Sequence, residues 1–216
     1  MPQERPVQFA GGTLGRERHI CAFFNSPHEE HRVLRSFITE GFDRGERAVH
    51  IVDPQRRPDH VARLREAGID VEQAVARGQL DLRTWQDTYL RRDHFDQDAM
   101  IALVEELLAA SRTSAYRRTR LLGHMQWALL DRPGVEDLVE YETRLNYVLP
   151  KYDDPVICSY DLSRFGARVA FDIMRTHPVV IVGGVLQENP FFVPPDQLLL
   201  ELRERGAARQ GARPLS

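Results

Sequence analysis

Aromatic and amide side chains stand directly after three apolar segments of the chain, where they could line a pocket for a small molecule. Such a pocket combines apolar area from aromatic rings with a few convergent polar groups. The segments 80–85, 119–124 and 156–160 each have the length and residue types of a β-strand. We therefore predict ligand contacts from residues at their ends: Trp85, Tyr89, Gln126, Trp127 and Tyr160.

The segment from His19 to Asp53 predicts a strand, a helix and a second strand, which is the size of a βαβ unit. Ligands of parallel sheets lie beyond the carboxyl ends of the strands. Asn25, Ser26 and His28 are therefore further candidates for ligand contact. The segment 25–30 has neither the glycines nor the lysine of a phosphate-binding loop.

The same segment has the pattern of a helix start, Ser26-Pro27-His28-Glu29. In a capping box of this kind, Ser26 accepts a hydrogen bond from the amide of Glu29, and Glu29 reaches back to the amide of Ser26. Glu29 and Glu30 would then lie at the positive end of the helix dipole and repel a polyphosphate. We therefore expect no nucleotide hydrolysis.

Glu142 and Asn146 are four residues apart in a helical pattern and share one face of the helix. A carboxylate on an otherwise apolar face would be functional, whereas one on the solvent face would mean little. The sequence leaves both interpretations open, and we count Glu142 among the predicted ligand-binding residues. His28 and His31 do not have the spacing of a His-Glu-x-x-His metal motif. We predict no metal ligands, no cofactor and no catalytic residues, and so no enzyme.

Predicted strands and helices alternate over almost the whole chain, which favours a mostly parallel sheet with helices on both faces. We expect a single three-layer α/β domain at residues 18–205, a loose leader at residues 1–17 and a frayed tail at residues 206–216. The predicted strands are 19–24, 48–52, 80–85, 119–124, 156–160 and 179–182. The predicted helices begin at Pro27, Pro58, Val71, Asp96, Val135, Ala167 and Pro195. The first ends at Gly41 or Gly45, and the others end near residues 67, 77, 111, 149, 175 and 205.

Composition limits the classes of partner. The 216 residues have a formal charge of −3, 42% hydrophobic residues and two cysteines, Cys21 and Cys158. These values predict a cytoplasmic protein with reduced thiols and argue against binding to nucleic acid or to a membrane. The basic segment 116–120 is either a solvated edge or a docking site for an acidic partner.

The order and spacing of seven short segments resemble the MEDS domain, the sensory domain named for methanogen and methylotroph proteins and the DcmR regulator. The resemblance covers about residues 18–205. It implies a layout similar to RecA- and KaiC-type ATPases without the Walker A loop. The segments are His19-Ile-Cys-Ala-Phe-Phe-Asn-Ser-Pro-His-Glu-Glu30, Phe37-Ile-Thr-Glu-Gly-Phe-Asp-Arg-Gly-Glu-Arg47, Gly78-Gln-Leu80, Met125-Gln-Trp-Ala-Leu129, Tyr141-Glu-Thr-Arg-Leu-Asn146, Cys158-Ser-Tyr-Asp161 and His177-Pro178.

What the resemblance implies is non-catalytic sensing of a small organic ligand, such as a hydrocarbon derivative, in signal transduction or transcriptional regulation. The remaining residues cannot hold an output module, so we expect a separate signalling output protein. Two alternatives stay open: an interaction scaffold that docks a kinase or sigma-factor regulator, and a degenerate nucleotide-binding protein of the ATPase type. Homo-oligomerisation also stays open.

Overall fold

Strands and helices alternate along the part of the chain that the computed structural model describes, residues 6–110 and 115–211. The strands are β1 (Gln8–Phe9), β2 (Gly12–Thr13), β3 (His19–Phe24), β4 (Arg47–Val52), β5 (Leu80–Thr84), β6 (Thr119–His124), β7 (Val156–Asp161), β8 (Val179–Val182) and β9 (Val185–Glu188). The α-helices are α1 (Pro27–Asp43), α2 (Arg57–Glu66), α3 (Val71–Ala76), α4 (Gln97–Ala109), α5 (Leu138–Leu145), α6 (Ala167–Met174) and α7 (Pro195–Gly211).

Seven strands form one sheet in the order β5-β4-β6-β7-β3-β8-β9. All neighbouring pairs are parallel except β8 and β9, which pair antiparallel. The central strands β3, β6 and β7 are buried along their whole length. This burial explains why their sequences are apolar without clean alternation. The structure confirms the predicted mostly parallel sheet.

Two apolar cores lie on opposite faces of the sheet. Helices α1, α2 and α3 cover one face, which we call the α1 face, and α4, α5 and α6 cover the other, the α5 face. The chain crosses the α1 face in going from β3 to β4 and β5, and it returns along the α5 face through β6 and β7 to β8. This arrangement is the one that right-handed crossovers require. Alternate residues of each strand therefore contribute to different faces.

The bounds of the predicted elements agree closely with the observed ones, with two differences. The predicted helix 135–149 is α-helical only in α5, which has a short 3₁₀ segment on each side. Strand β9 is absent from the predicted elements. The predicted end of the fourth helix at Ser111 lies outside the described residues.

The expected loose leader is wrong for residues 6–14. Strands β1 and β2 pair as a hairpin, and Val7, Phe9 and Leu14 are buried in the core on the α1 face. Burial of these apolar side chains stabilises the segment. The expected fraying from residue 206 is also wrong as far as Gly211, where α7 ends. Residues 1–5 and 212–216 lie outside the described part of the chain.

The basic segment 116–120 is mostly buried: Arg117 is exposed, but the other two arginines are not. Arg118 and Arg120 are 7% and 2% exposed, and both pair with Glu46. Arg120 also donates to the carbonyl of Phe37 and pairs with Glu40 at 3.1 Å. These buried ion pairs join β6 to the end of α1, so their role is structural.

The described residues contain no helix that is long and apolar enough to span a membrane.

Candidate functional site

A pocket of about 200 Å³ opens between α1 and α2, beside the carboxyl end of β6. We call it the α1–α2 pocket. Its apolar part is formed by Leu34, Ile38 and Leu122, and its polar part by acidic, imidazole and guanidinium groups. It lies where parallel sheets place their ligands. The polar lining residues are Glu30, His31, Arg56, Asp59, His60, Arg63 and His124.

The wall nearest the sheet is a carboxylate–imidazole contact between Glu30 on α1 and His124 at the end of β6. Glu30 Oε1 lies 3.1 Å from Nε2 of His124, and the hydroxyl of Ser159 donates to the same oxygen at 2.5 Å. Burial raises the pKa of Glu30, but His124 and the Ser159 hydroxyl outweigh burial and lower it. Glu30 is therefore ionised at neutral pH, and its charge is directed toward His124.

Two further imidazoles continue this wall toward α2. His50 Nδ1 lies 2.9 Å from His60 Nε2, and the ring of His60 meets that of His124 edge-on at 5.6 Å. Burial lowers the pKa of His50 to about 3, and it lowers the pKa of His60 as well. Both rings are therefore neutral at pH 7, and each has one nitrogen donor and one acceptor.

Two arginines supply the positive charge of the pocket. Arg63 donates to the carbonyl of Pro27 at 2.7 Å, which fixes its guanidinium against the start of α1. Arg56 is half-buried, and no described residue forms a hydrogen bond or ion pair with its guanidinium. A guanidinium that is held in a pocket without a partner suits an anionic or hydrogen-bond-accepting group of a ligand.

One of the two hydrogen bonds predicted for the start of α1 is present, and the other has a different partner. Ser26 accepts from the amide of Glu29 at 3.2 Å, which confirms the N-cap. The Glu29 carboxylate accepts from the amide of Asn25 at 2.8 Å rather than from that of Ser26, so this part of the prediction is wrong. The Glu29 carboxylate and the Ser26 hydroxyl thus occupy two backbone amides, those of Asn25 and Glu29, that could otherwise face an anion at this helix start.

The structure does not bring the nine predicted ligand-binding residues into one pocket. Ser26, Gln126 and Tyr160 line a small cleft that shares Pro27, Glu30 and Arg56 with the α1–α2 pocket. Asn25 and His28 are found at the start of α1, where both are exposed. A role in ligand binding stays a prediction for these residues.

The aromatic residues Trp85, Tyr89 and Trp127, which we predicted to contact a ligand, are packed in the core on the α5 face. Trp85 and Trp127 are 5% and 0% exposed, and Tyr89 stacks on Trp127 with ring centroids 4.7 Å apart. The indole of Trp85 donates to the carbonyl of His124 at 2.9 Å. Neither tryptophan lines the α1–α2 pocket, so the expected arrangement in which both face one shared cavity is not found.

Glu142 is fully buried, which decides between the two interpretations of its helix face. Its carboxylate meets His19, Cys158 and His177, whose ligand-type atoms all lie within 4.8 Å of one another. We call these four residues the Glu142 centre. They belong to four separate segments of the α5 face, and they are the described residues that could hold a metal ion.

Of the Glu142 centre, only Glu142 was among the predicted ligand-binding residues, and none of the predicted residues lines the α1–α2 pocket. His19, Cys158 and His177 stand in the segments that carry the family resemblance, but their separations along the chain match no local metal motif. His60 lies in the short helix α2, and Arg56 lies at its start. The sequence does not show which side of this helix is buried. A search for polar residues at apolar strand positions would have found His19, His50 and His124.

The fold defines the class of protein first. The chain resembles a KaiC-like protein from the hyperthermophilic archaeon Pyrococcus horikoshii OT3, with a TM-score of 0.54 and 18% sequence identity. The alignment covers 76% of this chain and 71% of that one. A likeness at this identity concerns the fold, and it confirms the predicted RecA/KaiC-like layout.

The family follows from the sequence. The model of the MEDS family, described as the methanogen/methylotroph, DcmR sensory domain, matches residues 18–178. The chain belongs to this family. It is also 28% identical over 174 residues to the transcriptional repressor DcmR of Methylorubrum extorquens (strain DSM 6343 / CIP 106787 / DM4). That match covers 79% of this chain and 62% of the repressor, so the chain spans less than two thirds of its relative.

Proposed function

We propose that this chain is a non-catalytic sensor that binds a small organic molecule in the α1–α2 pocket and controls a separate output protein. The observation that carries the proposal is the pocket itself, in which an apolar floor meets the Arg56 guanidinium, which pairs with no described residue, and the Glu30 carboxylate beside the His124 ring. The membership of a sensory-domain family and the likeness to a repressor support a regulatory role.

The size and lining of the pocket limit the ligand. At about 200 Å³ it is smaller than the roughly 300–1,000 Å³ of pockets for drug-sized ligands. A compact molecule with a short apolar part would contact Leu34, Ile38 and Leu122. A carboxylate, hydroxyl or halogen on that molecule would face Arg56 and the neutral ring of His60. Small organic acids, alcohols and halogenated hydrocarbons fit this description.

We infer from the carboxylates at the start of α1 that the chain does not hydrolyse nucleotides. Glu29 occupies the amide of Asn25, and Glu30 is engaged by His124 and Ser159, so a polyphosphate would meet two carboxylates there. The described loop residues 25–30 also offer no lysine. Nucleotide hydrolysis therefore has no support from this site, even though the fold is KaiC-like.

The experiment is a thermal-shift screen of small acids, alcohols and halogenated hydrocarbons, followed by calorimetric titration of any compound that raises the melting temperature. A ligand at 100 times its dissociation constant stabilises the folded state by about 2.7 kcal/mol. We expect Arg56→Gln to abolish this stabilisation for anionic ligands. Arg57→Gln is the matched control, because Arg57 is the next residue, is exposed and does not line the pocket. Equal binding of an anionic ligand by both variants, or no ligand in the whole panel, would contradict the proposal.

The interaction scaffold remains a second candidate because two aromatic rings are exposed side by side. Phe171 and Phe191 are 53% and 54% exposed, with ring centroids 6.3 Å apart. Exposed apolar pairs of this kind occur at protein interfaces. Co-purification with and without the ligand found in the screen separates the two functions, since a scaffold would retain its partner regardless of ligand.

A further inference from the structure

The Glu142 centre lies on the α5 face, opposite the α1–α2 pocket. His19 begins β3, Cys158 lies within β7, Glu142 is on α5, and His177 precedes β8. The four side chains are no more than 2% exposed. We propose that this centre binds one metal cation of the zinc class, with His19 Nε2, His177 Nε2, Glu142 Oε2 and Cys158 Sγ as its ligands.

Four of the six distances between the ligand atoms lie near the edges of a tetrahedral metal site, and all six are within 4.8 Å. With metal–nitrogen and metal–oxygen bonds of about 2.0–2.1 Å and a metal–sulfur bond of about 2.3 Å, the edges are roughly 3.4 Å, or roughly 3.6 Å where sulfur is involved. Glu142 Oε2 lies 3.1 Å from the Nε2 of His19 and 3.4 Å from that of His177. Cys158 Sγ lies 3.5 Å from Glu142 Oε2 and 3.9 Å from His19 Nε2.

The hydrogen bonds around His19 fix its tautomer. The amide nitrogen of Asn146 donates to three backbone carbonyls, those of Glu142, Thr143 and Thr176. Its oxygen therefore faces Nδ1 of His19, at 3.1 Å, and Nδ1 must be the donor. In the neutral ring, Nε2 then presents a lone pair to the centre.

His177 is fixed in the same way. The hydroxyl of Thr176 donates to the carbonyl of Ile173, so it can accept from Nδ1 of His177 at 2.6 Å. That nitrogen also faces the Ile173 carbonyl at 3.1 Å. Nε2 of His177 is fully buried, points to the centre and has no hydrogen-bond partner there. Metal-binding imidazoles commonly have their second nitrogen held by a carbonyl in this manner.

The charges of the ligand set also suit a divalent cation. The Glu142 carboxylate and a Cys158 thiolate would carry two negative charges, and the two neutral imidazoles would carry none. A divalent cation would therefore leave the centre without net charge.

Tyr160 holds the carboxylate in the orientation that a metal requires. Its hydroxyl donates to Glu142 Oε1 at 2.5 Å, which leaves Oε2 to face the other three ligands. Mixed imidazole, carboxylate and thiolate ligands in a tetrahedral arrangement favour Zn²⁺, and Co²⁺ can replace it as a spectroscopic probe. Because the centre is buried, the metal would enter during folding.

The test is to refold the full chain with Zn²⁺ or Co²⁺, remove free metal and measure the metal content. We expect one ion per chain and, with Co²⁺, a thiolate-to-cobalt charge-transfer band. Cys158→Ser should lose the band while keeping its fold by circular dichroism. Cys21→Ser is the control, because Cys21 is equally buried and pairs with Cys158 in register but is not among the four ligands.

Tyr160→Phe keeps all four ligands, so it should retain the band with a metal affinity about 10- to 100-fold weaker. X-ray absorption of the zinc-loaded wild-type chain should show sulfur among the bound atoms, and this measurement does not depend on a folded variant. Wild-type protein that takes up no metal would overturn the proposal. A band that persists in Cys158→Ser, or a zinc shell of nitrogen and oxygen alone, would also overturn it.

Discussion

Ser159 and Tyr160 are consecutive residues of β7 whose hydroxyl groups bond to carboxylates on opposite faces of the sheet. Ser159 donates to Glu30 on the α1 face, and Tyr160 donates to Glu142 on the α5 face, each at 2.5 Å. Alternation along a strand places neighbouring side chains on opposite faces. One strand therefore connects the α1–α2 pocket with the Glu142 centre.

Ser159→Ala should raise the pKa of Glu30, because the Ser159 hydrogen bond is one of the interactions that lower it. The measurement is a titration of the Glu30 carboxyl by nuclear magnetic resonance. Ser163→Ala is the control, since Ser163 donates to Asp161 and not to Glu30. A Glu30 titration that is identical in the wild type and in Ser159→Ala would show that this hydrogen bond does not form in solution.

Stability should fall as the pH is lowered below 6.5, in part because His50 is buried and neutral. Its pKa is about 3 in the folded chain, against an ordinary value of 6.5 that applies to the unfolded chain. The unfolded chain takes up the proton first, so stability is fully present above pH 6.5 and is lost toward pH 3. This residue alone should account for about 2 kcal/mol between pH 6.5 and pH 5.

The measurement for His50 is the free energy of unfolding across this pH range for the wild type and for His50→Gln. The variant should show a slope smaller by about one proton. Glu30, whose pKa is lowered, contributes only below about 4.5, so its effect falls in a separate window. Equal slopes in both proteins would contradict the buried neutral state of His50.

Ser26→Ala should destabilise the chain by about 1 kcal/mol, because Ser26 is the N-cap of α1. Chemical denaturation measures this difference. Ser36→Ala provides the control, since Ser36 is exposed within the same helix, where alanine has the higher helix propensity. An unchanged denaturation midpoint and slope for Ser26→Ala would mean that Ser26 does not act as the cap.

Mg-ATP should not be hydrolysed and should bind weakly at best. The carboxylates of Glu29 and Glu30 occupy the position of the anion at the start of α1. Titration with a fluorescent ATP analogue tests this expectation. A dissociation constant in the low micromolar range, or about −8 kcal/mol, would be incompatible with this account of the loop.

Strand and helix periodicity was sufficient to predict the sheet and its helices. The exception is β9, which has a single buried residue, Leu186, and so gives almost no apolar signal. The sequence does mark its turn: Gly183 and Gly184 adopt positive φ angles of 60° and 78° between two short segments. Two such residues in sequence predict a tight hairpin turn.

The candidate site was harder to predict because its residues meet only in three dimensions. Trp127 and Glu142 illustrate the problem, since an aromatic or acidic residue after a strand can face either a pocket or the core. Trp127 is packed in the core, and Glu142 is buried beside two imidazoles. Whether such a residue faces a pocket or the core depends on contacts with residues that are far away in the sequence.

The location of ligand binding can be measured through the imidazole protons of the histidines. His60 and His124 line the α1–α2 pocket, whereas His19 and His177 lie in the Glu142 centre on the other face. On addition of a ligand from the screen, we expect the imidazole resonances of His60 and His124 to shift in proportion to occupancy while those of His19 and His177 do not. Shifts confined to His19 and His177, or saturable binding that leaves His60 and His124 unchanged, would contradict this expectation.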